Sequence, residues 1–427
     1  MDVAGALVLV VLIVTLLVIL SERVNETATA LFAMSIVGGI LYLAYGLTFG
    51  NFVLLMPWDT ILFVTAMLIV VAVAASSGMF QYIALVLLHR THGNPRMIFT
   101  AFMGFIFVIS LFLDPLPTML VMGAFTVEVC KTIDMDFRPV LISEVIIANF
   151  ASIPSLVGSV PNLVIVVSAG IEVSLMFVVL MPLALILFAI TMPLLLRKFG
   201  DSLVASDEAA DWNVLYMIKP SVMIRSRHDF YLSLIAMSIL ILGFTIGAVR
   251  VEASLIAMMV ASGMLVFSHK RAQDLIRHLS WDTIFFLVGL FGIIAGLEST
   301  NVISEFVTGT MAFIGQNVFL AIGIMIWIPG FVLSIIDNIP VAALLAPLGL
   351  ELGAINAAVP LALLVGTNVG GYMIPFGDAP NMIAVKLAED EGKHISFMDF
   401  TKIALPLGVI HLVVSTVYLF FVALLLA

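Results

Sequence analysis

Apolar runs of about 18 residues or more recur along almost the whole length of this sequence, each long enough to cross the roughly 30 Å hydrocarbon core of a bilayer as a helix. In hydrocarbon every backbone polar group must be satisfied within the protein, so such a chain is confined to packed helices. Of 427 residues, 63% are hydrophobic and 10% charged, with a mean hydropathy of +1.25, which excludes a soluble enzyme. The 17 Lys and Arg are scattered through short segments and the net charge is −10, which excludes a nucleic-acid-binding face. One cysteine, Cys130, permits neither an intrachain disulfide nor a cysteine metal cage. Val3 to Leu20 has no basic region before it and no small-residue cleavage site after it, and reads as a retained span without a signal peptide.

Hydropathy places ten spans near 3–20, 27–48, 58–77, 140–170, 175–196, 230–249, 252–268, 281–298, 359–386 and 403–426. Two further stretches, 96–132 and 316–352, each hold two apolar arms around a polar knot, Asp114-Pro115-Leu116-Pro117 and Asp337-Asn338-Ile339-Pro340. Proline removes a backbone donor and a carboxylate is costly at depth, so each stretch reads as a re-entrant hairpin. With the N-terminus outside, 16 of the 17 basic residues fall on the cytoplasmic side and only Arg250 falls outside. Both termini are then external, and a plasma (inner) membrane location is expected.

The chain also repeats itself. Trp58-Asp59-Thr60-Ile61 recurs as Trp281-Asp282-Thr283-Ile284, and Asp114 with Pro117 as Asp337 with Pro340, at an offset of 223; Asn149, Gly158 and Pro161-Asn162 recur as Asn368, Gly377 and Pro380-Asn381 at 219. Five spans and a hairpin per half put the second half upside down relative to the first. The expected fold is therefore an all-α polytopic membrane protein built as an inverted-topology repeat of two five-helix units, 1–198 and 230–427, joined by a cytoplasmic linker at 199–229. In such repeats the transport site lies near the midplane, among broken helices and hairpin tips. The tryptophan pairs sit at span entrances and read as interfacial anchors.

Two spans carry prolines, glycines and amides in otherwise apolar surroundings, Asn149 to Asn162 and Thr367 to Asn381. Unwound backbone inside a membrane is tolerated where it lines a cavity or is buried in protein, and it exposes carbonyls at one half-helix end and N–H groups at the other. The candidate substrate and ion ligands are Asp114, Thr118, Asn149, Ser152, Ser155, Ser159 and Asn162 from the first half, and Asp337, Asn338, Thr367, Asn368, Asp378 and Asn381 from the second. Hard oxygens of this kind suit Na⁺, with Asp114, Asn149, Asp337 and Asn368 as its ligands, or a proton relay. Asp114 and Asp337 have an alternative reading as caps of a hairpin arm. Glu144, about a turn and a half before Asn149, is either a relay group or a side chain snorkelling to the interface. Cys130 reads as packing.

At Phe112-Leu113-Asp114 with Thr118, Ile142-Ser143-Glu144-Val145, Pro161-Asn162, Ile335 to Pro340 and Ile395 to Phe400, the sequence resembles the arsenite permease, NhaD-type sodium/proton antiporter and melanosomal P-protein branch of the ion transporter superfamily. The resemblance covers about 56 to 425. It implies a scaffold half and a transport half, elevator-like alternating access, ligands at tips and breaks, and a homodimer; an arsenite carrier would add a separate ATPase subunit, since the chain has no phosphate-binding loop of its own. The chain departs from the pattern at Gly158-Ser159-Val160-Pro161-Asn162, where the family has a carboxylate, and at Pro115, where it has an amide. The Ser-Asn-Thr signature of related sodium/dicarboxylate carriers is absent from both tips.

These features point to an ion-coupled secondary transporter of a small inorganic ion, of the Na⁺/H⁺ antiport or arsenite efflux type, with Na⁺ or H⁺ as coupling ion, no cofactor and no enzymatic activity. The alternative is a Na⁺-coupled di- or tricarboxylate carrier of the citrate kind, although no arginine lies at depth to clamp a dicarboxylate. A remote alternative, an intramembrane aspartyl protease using Asp337 and Asp378, conflicts with the repeat, which gives each motif a twin.

Overall fold

The structure, a computed structural model, describes residues 2–20, 23–91, 94–156, 158–200, 202–203, 217–245, 252–268, 271–277 and 279–426. Among them every regular element is helical. Residues 201 and 204–216 of the expected linker, together with Arg250 and Lys270, lie outside the described residues.

The first half runs α1 (Val3–Leu20), α2 (Glu26–Tyr45), α3 (Phe49–Leu54), α4 (Trp58–Ser77), α5 (Met79–Arg90), α6 (Pro95–Ile109), α7 (Pro115–Thr118), a π turn at Met119–Gly123, α8 (Ala124–Thr132), α9 (Arg138–Ser152), α10 (Val160–Ser168) and α11 (Val173–Phe199). The second follows the same order as α12 (Arg227–Thr245), α13 (Ala253–Phe267), α14 (Ala272–Arg277), α15 (Trp281–Ser299), α16 (Val302–Ile314), α17 (Val318–Trp327) with a π turn at Ile328–Val332, α18 (Asn338–Gly353), α19 (Ala358–Gly371), α20 (Ala379–Asp390) and α21 (Phe397–Leu425). Helices α2, α4, α11, α15 and α21 are long and apolar enough to cross a bilayer. Their outward faces are apolar, as at Leu43, Val178 and Phe421, which a lipid-facing surface requires.

The two expected hairpins are present as helix–turn–helix pairs, α6 with α7–α8 and α17 with α18, and the two expected broken spans as α9/α10 and α19/α20. The hydropathy reading assigns nothing to 79–90 or 302–314, and there the structure corrects it with helices α5 and α16. At 12 and 13 residues they are too short to span, and Gln81, His89, Arg90, Glu305 and Thr308 interrupt their apolar character. Each starts at a sharp left-handed corner after a long helix, Gly78 at φ +82° and Asn301 at φ +55°. Those corners are 223 residues apart, the offset of the sequence repeat.

Repeat-related packing frames the molecule. Helix α2 lies on α15, and its counterpart α13 on α4. The α2–α15 contact is backbone-close because of three glycines: a Cβ at Gly289 would fall 2.5 Å from the Ala30 carbonyl carbon, at Gly292 2.4 Å from Met34 Cγ, and at Gly296 2.2 Å from Val37 Cγ1. Small residues at helical spacing let membrane helices approach where no water-driven force exists between them. The tryptophans serve as expected for structural anchors: Trp58 Nε1 donates to Val53 O and Trp281 Nε1 to Ile276 O, tying each long helix to the short helix before it.

Candidate functional site

Both hairpin tips turn on an aspartate. Proline follows Asp114 and has no N–H, so the first free donor is Leu116 N, which gives Asp114 Oδ1 a 2.9 Å bond. Asp337 Oδ1 accepts from Ile339 N at 2.9 Å in the same way. Both are N-caps, as the alternative reading holds. Asp114 does more, for its Oδ2 accepts from Val160 N at 3.1 Å, the first turn of the second half of the first broken span.

Each tip is drawn against its break through a glycine. A Cβ at Gly158 would lie 2.5 Å from Ser110 O, and one at Gly377 would lie 2.8 Å from Ser334 O and 2.7 Å from Gly371 O. No side chain fits at either position without moving a main chain.

Breaking a helix leaves carbonyls without donors, and here the asparagine after each break reaches back to them. Asn162 Nδ2 donates to Ser152 O and Ser155 O, both at 2.9 Å, and Asn381 Nδ2 to Gly371 O at 2.7 Å and Ile374 O at 2.8 Å. Their partners are related by the 219 offset.

The breaks are also joined to each other. Ser152 Oγ shares its proton between Asn149 O at 2.7 Å and Asn368 Oδ1 at 3.0 Å, and Asn368 Nδ2 donates to Asn162 Oδ1 at 2.6 Å, all three side chains being buried. On the opposite side the repeat-related bonds are missing. Asn149 Oδ1 and Asn381 Oδ1 are buried with no hydrogen-bond partner among the described residues, while their amide nitrogens are fixed on carbonyls. Beside Asn149 Oδ1, Asn338 Nδ2 holds Asp378 Oδ2 at 3.1 Å. A Cβ built on Gly371 would sit 2.9 Å from Asn338 Nδ2, 3.4 Å from Asp378 Oδ2 and 3.5 Å from Asn149 Oδ1, so these three groups border a space that only a glycine leaves open.

Asp114, Asn149, Ser152, Asn162, Asp337, Asn338, Asn368, Asp378 and Asn381 thus gather at tips and breaks. Thr118 and Thr367 spend their hydroxyls on Asp114 O and Leu363 O four residues back in their own turns, and Ser155 Oγ accepts from Gly158 N inside its loop. Ser159 stands before α10 without a side-chain cap bond. Along α4, Phe63, Val64, Met67, Leu68 and Val71 face Asp114, Ser159 and Val160 across a narrow apolar crevice.

Two buried polar groups complete the picture. His411 on α21 bonds Tyr372 Oη through Nδ1 and Thr191 Oγ1 at 2.8 Å through Nε2, pinning the first residue of the second break to α11 and α21. Sequence reasoning passed over this histidine, whose signal was a ring with two polar nitrogens inside an apolar run. Glu144 is fully buried, taking a 2.5 Å bond from Thr126 of α8, with its second oxygen unpartnered among the described residues. The snorkelling reading is corrected, because its face of α9 turns to the hairpin. Glu144→Ala should cost about 2–3 kcal/mol, through a cavity and a stranded Thr126 hydroxyl. Thermal unfolding in detergent checks this, with Glu144→Gln close to wild type.

Comparison with known proteins places the site in context. The profile of the citrate transporter family matches residues 16–366. A 46 kDa membrane protein of Mycobacterium leprae is 28% identical over 426 residues, covering 97% of this chain and 98% of that one. An uncharacterized transporter of Mycobacterium tuberculosis (strain ATCC 25618 / H37Rv) is 28% identical over 414 residues, covering 94% and 95%. The P protein of Homo sapiens is 24% identical over 446 aligned positions, covering 85% of this chain and 53% of that protein.

Proposed function

This chain belongs to the citrate transporter family, and from that premise we propose that it is a secondary active transporter that exchanges Na⁺ for H⁺ by elevator-like alternating access. One observation carries the choice of a cation. At the start of the second half-helices, where an anion would sit, stand the chain's own carboxylates: Asp114 takes the N–H of Val160 at the first break, and Asp378 occupies the N-cap position at the second. The groups left free are acceptors: Asn149 Oδ1 and Asn381 Oδ1. Asp337 caps the second hairpin tip, Asp378 is bonded to the next residue of that tip, Asn338, and neither carboxylate forms an ion pair among the described residues. Two adjacent carboxylates without a basic partner are satisfied by a cation or by protons, the alternation that antiport needs.

The hydrogen bonds joining Ser152, Asn162 and Asn368 make the two broken spans and their hairpins one body. Its face toward α4 is apolar, a surface that slides without breaking hydrogen bonds. We assign α1–α4 and α12–α15 to the scaffold, and the inverted repeat supplies the outward and inward states by exchanging the roles of the halves. Both termini then face outward and each hairpin returns to its own side. Since Cys130 is buried, single cysteines at Arg23 and Leu425 test the orientation: in intact cells an impermeant maleimide should label the second and spare the first.

A Na⁺-coupled citrate-like importer is the second reading, favoured by the family match. Proteoliposomes with an internal pH dye, challenged with Na⁺, Li⁺, arsenite, citrate and succinate, separate the two. Proton movement on addition of Na⁺ or Li⁺ alone supports exchange; a response confined to citrate or succinate supports the second reading, and one confined to arsenite the efflux type.

A further inference from the structure

Resting on the proposed cation coupling, we infer that only the second break holds the coupling cation, a hard monovalent ion of the Na⁺ class liganded by Asn149 Oδ1, Asn381 Oδ1 and the Asp378 carboxylate, and that the equivalent position in the first break is closed by the protein itself. A duplicated transporter has two such positions, related by the repeat. Among the repeat-related pairs that differ between them, two bear directly on the bare oxygens.

The first pair is Ser152 and Gly371. Ser152 Oγ occupies Asn368 Oδ1, whereas its counterpart Gly371 has no side chain to offer the counterpart oxygen, Asn149 Oδ1, which is left bare. The second pair is Ser159 and Asp378, where the carboxylate stands only on the open side. The closure extends to the outer amides. Asn162 Oδ1 is filled by Asn368 Nδ2, but its repeat counterpart, Asn381 Oδ1, is bare as well.

Two buried amide oxygens without partners are costly unless something positive meets them. A neutral water would satisfy them but leave Asp378 uncompensated in its ionised form, the form the exchange cycle reaches when its proton has left. A cation satisfies all three, and oxygen donors of this hardness select Na⁺ or Li⁺ over soft metals. The partial exposure of Asp378 gives the ion a way in.

The test is thermal unfolding of the purified protein in detergent, with choline replaced by Na⁺ at constant ionic strength, for wild type, Gly371→Ser and Asp378→Asn. Wild type should be stabilised along a hyperbolic, single-site curve. Gly371→Ser copies the Ser152 closure onto the open side and should lose the Na⁺ response while keeping its melting temperature in choline; Asp378→Asn keeps the shape and should need at least about tenfold more Na⁺. If Ser at 371 lowers the choline baseline by crowding Asn338, the Asp378→Asn titration decides alone. No Na⁺ shift in wild type, a sigmoidal two-ion curve, or an unchanged response in Asp378→Asn overturns the inference. Na⁺-driven proton movement in proteoliposomes is read separately: binding without transport sinks the exchange reading and leaves the site standing, and transport without the shift sinks the site alone.

Discussion

Asp337→Asn should reduce Na⁺-driven proton movement by roughly a hundredfold, because removing one member of a buried charge constellation costs about 3 kcal/mol of coupled binding. The protein should remain folded, since the asparagine Oδ1 still accepts from Ile339 N as the aspartate does. Its repeat partner should behave differently. Both oxygens of Asp114 are engaged by N–H groups, from Leu116 and Val160. Asp114→Asn turns an amide NH₂ toward one of these donors, so it should lower stability by about 1 kcal/mol and leave more transport than Asp337→Asn. Flux and melting temperature measured on both variants separate the two roles, and equal loss of flux with unchanged melting temperature in both would refute them.

Gly158→Ala and Gly377→Ala should each destabilise the protein by about 1–3 kcal/mol or more, an effect far larger than a single methyl has on a helix surface. The added carbon would fall 2.5 Å from Ser110 O in one case and 2.8 Å from Ser334 O in the other. Main chain cannot rotate aside as a side chain does, so the hairpin must lift away from the break. Gly309→Ala, where nothing lies within 4 Å of the built Cβ, is the control and should be neutral or slightly stabilising. Thermal unfolding of the three variants gives the comparison, and a Gly158→Ala protein as stable as the Gly309→Ala protein would remove the tip–break contact from the account.

Much of this architecture was legible before any coordinates. An aspartate beside proline inside an apolar stretch forces a turn, and prolines with asparagines force a break; both appear where the sequence places them, at Asp114, Asp337 and the segments after Ser152 and Gly371. Helices α5 and α16 were not legible, because a window tuned to bilayer thickness averages 12 or 13 residues into their neighbours. Thr118 and Thr367 direct their hydroxyl protons to carbonyls four residues back, as a threonine inside a helix does, a bond that the sequence pattern alone does not show. The asymmetry of the breaks lay in plain view as Ser152 opposite Gly371. Its meaning needed the hydrogen bonds, since a missing hydroxyl matters only when its acceptor has nowhere else to turn. Glu144 gave no signal of its burial because nothing in the sequence fixes which face of α9 meets Thr126.

Accumulation of radioactive sodium in proteoliposomes with an acidic interior, diluted into alkaline medium, tests the central claim most directly. Outward proton flow should drive sodium in above its equilibrium level in wild type, collapse on adding a protonophore that dissipates the gradient, and be absent in Asp337→Asn. Sodium that only equilibrates, with labelled citrate accumulating in its place, would contradict the account.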